Sequence, residues 1–264
     1  MAQETFQLSA EVAEAYEAAF VPTFFAQWAP RLLDAAAVGD GQRVLDVACG
    51  TGIVARTAAG RVGPSGSVVG LDLSDAMLTV ARRVAPDLNW IQGDAAAMPL
   101  PAGSFDTVVS QMALMFFPDP VAALREMKRV ARPHGTVAVL IPGELEANPP
   151  YELFVDIVTR HAGAAARSLV TTYFALGDLA GLSGHCESAG LSVTTATTVV
   201  GESRFGSVDE LCTVEIDSTP LGERLSPAAR AGILTDCRSA LAQWTTPGDL
   251  RFPFTSNLVV AHPG

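Results

Sequence analysis

Between Arg43 and Ile141 the chain repeats one pattern: a short apolar run rich in β-branched residues, a turn, then usually a helix-patterned stretch. The runs are RVLDVA (43–48), SVVGLD (67–72), LNWIQ (88–92), FDTVVSQ (105–111) and TVAVLI within 135–141. Helical patterning covers the Ala-rich stretch to about Arg61, Asp75 to Val84, and 119–132. The last of these opens at Asp119-Pro120, and proline suits a first helical turn. Runs that are apolar on both faces and alternate with helices indicate a parallel sheet covered on both sides.

The flanks are less regular. Residues 9–37 read as helical, with Ser9 as N-cap and with Pro22 and Pro30 dividing the segment. Its stripe of Val12, Tyr16, Phe20, Phe24, Phe25 and Trp28 suits either core packing or a cap over a ligand. Beyond 141 helices are expected over 151–166, 178–189, 207–216 and 226–244. Extended segments are expected over 191–200 and 253–261, as antiparallel edge strands around an insertion. The expected architecture is a doubly wound, mostly parallel, seven-stranded Rossmann-like α/β sheet, with an N-terminal helical cap and a C-terminal helical insertion. With no repeat or low-complexity linker, 1–264 is expected to be a single domain. Residues 1–42 form its helical cap, 43–141 its ligand-binding core, and 142–264 its substrate-binding elements and edge strands.

Hydrophobic residues make up 49% of the 264, ample for a core. No apolar run reaches the roughly 18 residues needed to cross a bilayer. The start, MAQETFQLSAEVAEAYEAAF, lacks the basic flank and apolar stretch of a signal peptide, so a cytoplasmic protein is expected. Cys49, Cys186, Cys212 and Cys237 show no C-x-x-C spacing, which argues against a zinc site or redox dithiol and for four free thiols. Against 28 acidic residues there are 17 Lys and Arg, a formal charge of -11. Such a surface repels phosphate backbones and anionic membranes, which favours a small-molecule substrate.

The chemistry concentrates at Asp46-Val-Ala-Cys-Gly-Thr-Gly52, where the first strand gives way to the first helix. Glycines there let a ligand approach the backbone, and free N–H groups at the helix start point toward it. Spacing alone leaves a dinucleotide fingerprint open, because Ala55 stands where G-x-G-x-x-G/A tolerates it. Residues in register with the loop narrow the choice. Asp72 ends the second strand, 20 residues after Gly52, where a carboxylate can take both ribose hydroxyls. Asp94 follows the third strand, where it can accept from an adenine amino group, or cap the next turn. Gln111 ends the fourth strand. All lie at C-terminal strand ends, the ligand edge of open α/β sheets.

VLDVACGTG, VVGLD, GDAAAMPLP, FDTVVSQMAL and LREMKRVARPHGTVAVL resemble the successive motifs of class I S-adenosylmethionine-dependent methyltransferases. They are most similar to the broad group holding the ubiquinone/menaquinone-type enzymes and many small-molecule methyltransferases of bacterial secondary metabolism. The resemblance covers 43–141 and implies S-adenosylmethionine as cofactor. It places Asp46, Gly50, Thr51 and Gly52 along the methionine moiety, although Asp46 can instead brace the loop. It places Asp72 on the ribose, Leu73 and Met77 near the adenine, Asp94 and Ala95 on the adenine edge, and Gln111 at the methionine amino group. The group usually has Pro-Gly-Gly where this chain has Pro133-His134-Gly135, at the far end of strand five from the ligand.

A sulfonium already activates its methyl group, so alignment supplies much of the catalysis. A base matters only for a nucleophile that carries a proton at neutral pH. The candidates are His161, His185 and Glu144 in the divergent region, with Tyr16 and Tyr173 as weaker options. Met112, Met115, Phe116 and Phe117 are candidate walls of an apolar acceptor pocket, while Cys49 is expected to pack behind the loop. Two other readings stay open. One keeps the cofactor pocket without transferase activity, as a cyclase or a binding or regulatory protein; the other is an NAD(P)-dependent oxidoreductase. Oligomeric state, with a homodimer among the options, is not legible.

Overall fold

The computed structural model describes residues 9–264. The helices are α1 (Ala10–Ala15), α2 (Trp28–Ala35), α3 (Ile53–Val62), α4 (Asp75–Val84), α5 (Pro120–Val130), α6 (Pro149–Thr171), α7 (Leu179–Ser188), α8 (Val208–Asp217) and α9 (Pro227–Ala240). The strands are β1 (Arg43–Val47), β2 (Ser67–Asp72), β3 (Asn89–Gln92), β4 (Phe105–Gln111), β5 (Ala131–Pro142), β6 (Leu191–Phe205), β7 (Thr245–Thr246) and β8 (Asp249–Pro263).

They form one mixed sheet in the order β3-β2-β1-β4-β5-β8-β6, with β7 paired to β8. The first five strands run parallel, in registers such as Asp46 with Gly70 and Gln111 with Leu140. β8 returns antiparallel between β5 and β6. The sequence explains this layering. Every residue of β4 is buried, because helices cover both faces of the parallel part. The exposed threonines of β6, by contrast, suit an edge strand. The stripe Met77, Leu78, Val80 and Ala81 docks α4, whose N-terminus is capped by Ser74 accepting from the Met77 N–H at 3.3 Å. Each fully buried leucine in such stripes, Leu78 and Leu124 among them, contributes roughly 1.5–3 kcal/mol.

Several expected elements are redrawn. Ser9 caps α1, accepting from the Val12 N–H, but 9–37 is three pieces: α1, a π-helical stretch Tyr16–Phe25 containing Pro22, and α2. Wide i→i+5 turns, such as the Ala26 N–H to the Val21 carbonyl at 2.9 Å, absorb a proline that an α-helix would reject. Pro30 breaks nothing, lying in the first turn of α2, where N–H groups lack partners anyway. The expected helix 151–166 extends to Pro149–Thr171 with a break at Gly163, and 226–244 ends at Ala240 before a 3₁₀ turn. β6 and β8 are longer than expected because each pairs with the other almost end to end, and β7 adds an eighth strand.

The N-terminal pieces fold over the C-terminal ends of the parallel strands. Arg83 pairs with Glu14 at 2.6 Å and Arg56 with Glu17 at 2.9 Å, clasping the cap to α4 and α3.

Candidate functional site

The loops after β1 and β4 face each other where the strand order reverses, the place at which such sheets bind ligands. Each begins with a non-glycine residue in the left-handed region, Ala48 at φ 55° and Met112 at φ 53°. Strain of this kind persists where the surroundings over-determine it, commonly at ligand sites. Both residues line a cavity of about 430 Å³.

At one end of the cavity, the Gly50 N–H donates to Asp72 Oδ2 and the Ser74 N–H to Asp72 Oδ1, both at 2.8 Å. Asp72 therefore ties the first loop to the end of β2 while keeping a lone pair on each oxygen. Asp46 accepts from the Ala55 N–H at 2.9 Å and is almost wholly buried. Burial pushes its pKa up to about 8, opposed by the Ala55 N–H and reinforced by the nearby Asp72 charge. Burial raises Asp72 as well, against the N–H groups of Ser74 and Gly50. Gln111 donates through Nε2 to the Phe25 carbonyl at 3.2 Å, and its buried Oε1 has no partner. Two shielded carboxylates and an orphan amide oxygen thus converge on one cavity. A ligand with an ammonium group beside hydroxyls would satisfy all three: a cation favours the charged carboxylate, and hydroxyls can donate to Asp72.

Next along the wall come Leu73, Met77, Asp94 and Ala95. Leu73 is 51% exposed, an apolar surface that a flat heterocycle would cover. Asp94 Oδ1 accepts from the Ala96 N–H at 2.8 Å, so it caps its own turn while lining the cavity. Eight of the ten residues expected along the cofactor line this space, but Thr51 and Gly52 do not. Thr51 is buried beneath the loop. Gly52, at φ 89°, is required by packing: a Cβ there would stand 2.2 Å from the Trp90 ring. Cys49 is buried, and burial holds its thiol far above the ordinary range, which leaves little nucleophilic thiolate.

Toward β8 the cavity turns aromatic. Phe24 meets Phe254 at 4.8 Å and Tyr151 meets Phe254 at 5.2 Å between ring centroids. Phe116 packs on Tyr173 at 5.3 Å, and Met112, Met115, Phe116 and Phe117 all contribute wall. Tyr16 and Tyr173 also line it, but burial drives both phenols well above their ordinary pKa, so neither is a ready base.

His161, His185 and Glu144 are not part of it. His161 Nε2 lies 2.9 Å from Asp236 Oδ2, in the seam where α6 meets α9. His185 Nδ1 donates to the Gly181 carbonyl at 2.7 Å, within α7. Glu144 is exposed on the loop after β5. The assignment of a base to these three is therefore corrected: their helices and loop aim them elsewhere. A buried carboxylate that does line this part of the cavity is Glu215 of α8, with Oε1 accepting from the Tyr151 hydroxyl at 2.8 Å. Burial pushes its pKa up to about 7, with the Tyr151 hydrogen bond pulling the other way. The signal in the sequence is one acid in the apolar stretch Val214-Glu215-Ile216 of a helix.

A family model described as a methyltransferase domain matches residues 45–139. Nocamycin O-methyltransferase of Saccharothrix syringae is 40% identical over 124 residues, 45% of this chain and 44% of that protein. The ubiquinone/menaquinone biosynthesis C-methyltransferase UbiE of Edwardsiella ictaluri is 30% identical over 190 residues, 66% of this chain and 76% of that protein. The chain thus spans less than half the length of the first of these relatives and about three quarters of the second. In fold it is similar to phosphoethanolamine N-methyltransferase 2 of Haemonchus contortus, solved with S-adenosyl-L-methionine. The TM-score is 0.60 at 20% identity, over 97% of this chain and 58% of that one.

Proposed function

The chain belongs to the class I S-adenosylmethionine-dependent methyltransferases, and on that premise we propose that it methylates a small, largely apolar acceptor in secondary metabolism. The observation that carries this reading is the convergence of Asp46, Asp72 and the unpartnered Gln111 Oε1 on one cavity.

The residues present fit the cofactor. Asp46 and Gln111 would face its ammonium group, and the loop at Gly50 its methionine chain. Asp72 would accept from the ribose hydroxyls on the lone pairs that Gly50 and Ser74 leave free. Leu73, Met77 and Ala95 would sandwich the adenine, with Asp94 accepting from its amino group. When bound, S-adenosylmethionine supplies a methyl group already activated on a sulfonium. The chain's part is to hold the acceptor in line with that methyl and keep water out, which alignment alone can reward with several kcal/mol. Residues 142–264 would supply the acceptor side through Tyr151, Phe154, Phe174 and Phe254. The acidic surface supports a small acceptor in preference to a nucleic acid. Among the described residues, no helix is long and apolar enough to cross a membrane.

Calorimetric titration with S-adenosylhomocysteine tests the reading. Saturable binding of one molecule per chain is expected, and absence of heat and of any thermal shift would refute it.

A further inference from the structure

We infer that Glu215, held by Tyr151, is the proton acceptor for a weakly acidic hydroxyl on a flat, apolar acceptor molecule. The inference rests on the methyltransferase reading and deepens it at the acceptor end of the same cavity.

The geometry is specific. Along the sheet order, Asp94 and Asp72 stand at the β3 and β2 end, while Phe254 stands on β8 beyond β5. Tyr151 packs on Phe254 and donates to Glu215, which places this carboxylate across the cavity from the donor loop. Glu215 is 6% exposed in a cavity whose walls include Tyr151, Phe154, Tyr173, Phe174 and Phe254. A buried carboxylate is costly unless it is paired, and none of the ion pairs found among the described residues includes it. The titratable groups felt across it are Tyr151 and Tyr173 from α6 and the turn after it, and Cys212 on its own helix; all three are neutral when protonated. Tyr151 engages Oε1. A hydroxyl bound in the cavity would pair with the carboxylate beside that contact.

The step balances without a further reagent. The acceptor O–H bond breaks, its proton passes to the Glu215 carboxylate, and the electron pair stays on the acceptor oxygen as nucleophile. The carboxyl returns the proton to water when the product leaves. Aromatic walls select the flat apolar body, and the carboxylate selects the hydroxyl. A pKa near operating pH suits a base of this kind.

The test uses 1-naphthol and 1-methoxynaphthalene as probes on the protein saturated with S-adenosylhomocysteine, whose own binding is measured first. If that product does not bind, the underlying reading fails. If it binds, naphthol should bind more tightly than its ether by about tenfold or more above pH 7, where an ionised Glu215 can accept from the hydroxyl. The preference should fade as pH falls through about 7, because a protonated carboxyl can donate to the ether oxygen. Glu215→Gln should make the preference small and independent of pH. Tyr151→Phe should move the midpoint to higher pH by removing a hydrogen bond that favours the charged form. A wild-type preference that ignores pH, a Glu215→Gln variant that keeps the wild-type profile, or no binding of either probe would overturn the inference while leaving the cofactor site intact.

Discussion

At the scale of single residues, Asp72 has two tasks for one carboxylate: it fastens the first loop through Gly50 and Ser74, and its remaining lone pairs face the cavity. Asp72→Ala should therefore weaken S-adenosylhomocysteine by about 1–3 kcal/mol in calorimetry, the loss expected when hydroxyls lose a charged acceptor. Unchanged affinity would remove the ribose assignment. Glu215 makes a different demand, on stability. Its pKa in the folded chain is about 7, above the ordinary 4.5, so the folded state holds the proton more tightly than the unfolded state. Stability then falls as pH rises from about 4.5 to 7 and levels off above, at a cost of up to about 3 kcal/mol. Glu215→Gln should remove Glu215's share of that slope, leaving the shares of Asp46 and Asp72, so denaturant unfolding should find it stabilised near pH 8 and not near pH 4. Asp72 could be read from its distance to the glycine loop, because strand ends and loop spacing are local. Glu215 could not, because an acid inside an apolar helix declares burial without saying what it faces.

At the scale of elements, the first loop is shaped from below as much as by its ligand. Gly52→Ala combines a left-handed φ with a clash against Trp90, and it should destabilise by more than about 2 kcal/mol in equilibrium unfolding. Measured against Trp90→Leu alone, Gly52→Ala should cost only roughly 1–2 kcal/mol, the cost of a left-handed alanine once the clash is gone. The turn at the other end of β5 offers the reverse case. His134 is exposed at φ 62°, where glycine is at ease, and its ring makes none of the bonds that hold the strand. His134→Gly should gain up to about 1 kcal/mol, with S-adenosylhomocysteine affinity unchanged, since this turn is remote from the ligand edge. The cap shows the limit of local patterning. Its aromatic stripe fits a helix, but how the pieces sit is fixed by contacts far along the chain, with Glu202 and Val200 of β6, reached by Gln27 and Arg31, beside the ion pairs to α3 and α4.

For the whole molecule, the test of identity is linkage. S-adenosylhomocysteine at about a hundred times its dissociation constant should add roughly 2.7 kcal/mol, raising the melting midpoint by roughly 5–10 °C in a chain of this size. NADPH should leave the midpoint unmoved, and a shift from NADPH alone would revive the oxidoreductase reading. By itself the sequence determined the parallel half of the sheet, the ligand edge and the line from Asp46 through Asp72 to Gln111. Those follow from periodicities and turns only a few residues long. The insertion of β8 between β5 and β6 rather than at an edge, the position of the cap and the aromatic chamber were decided by the tertiary structure. They depend on pairings between residues over a hundred positions apart, such as Val139 with Val259 or Asn148 with Thr255. The same reason separates the histidines that looked catalytic from the carboxylate that faces the chamber: spacing along a helix says which residues share a face, and only packing says what that face meets.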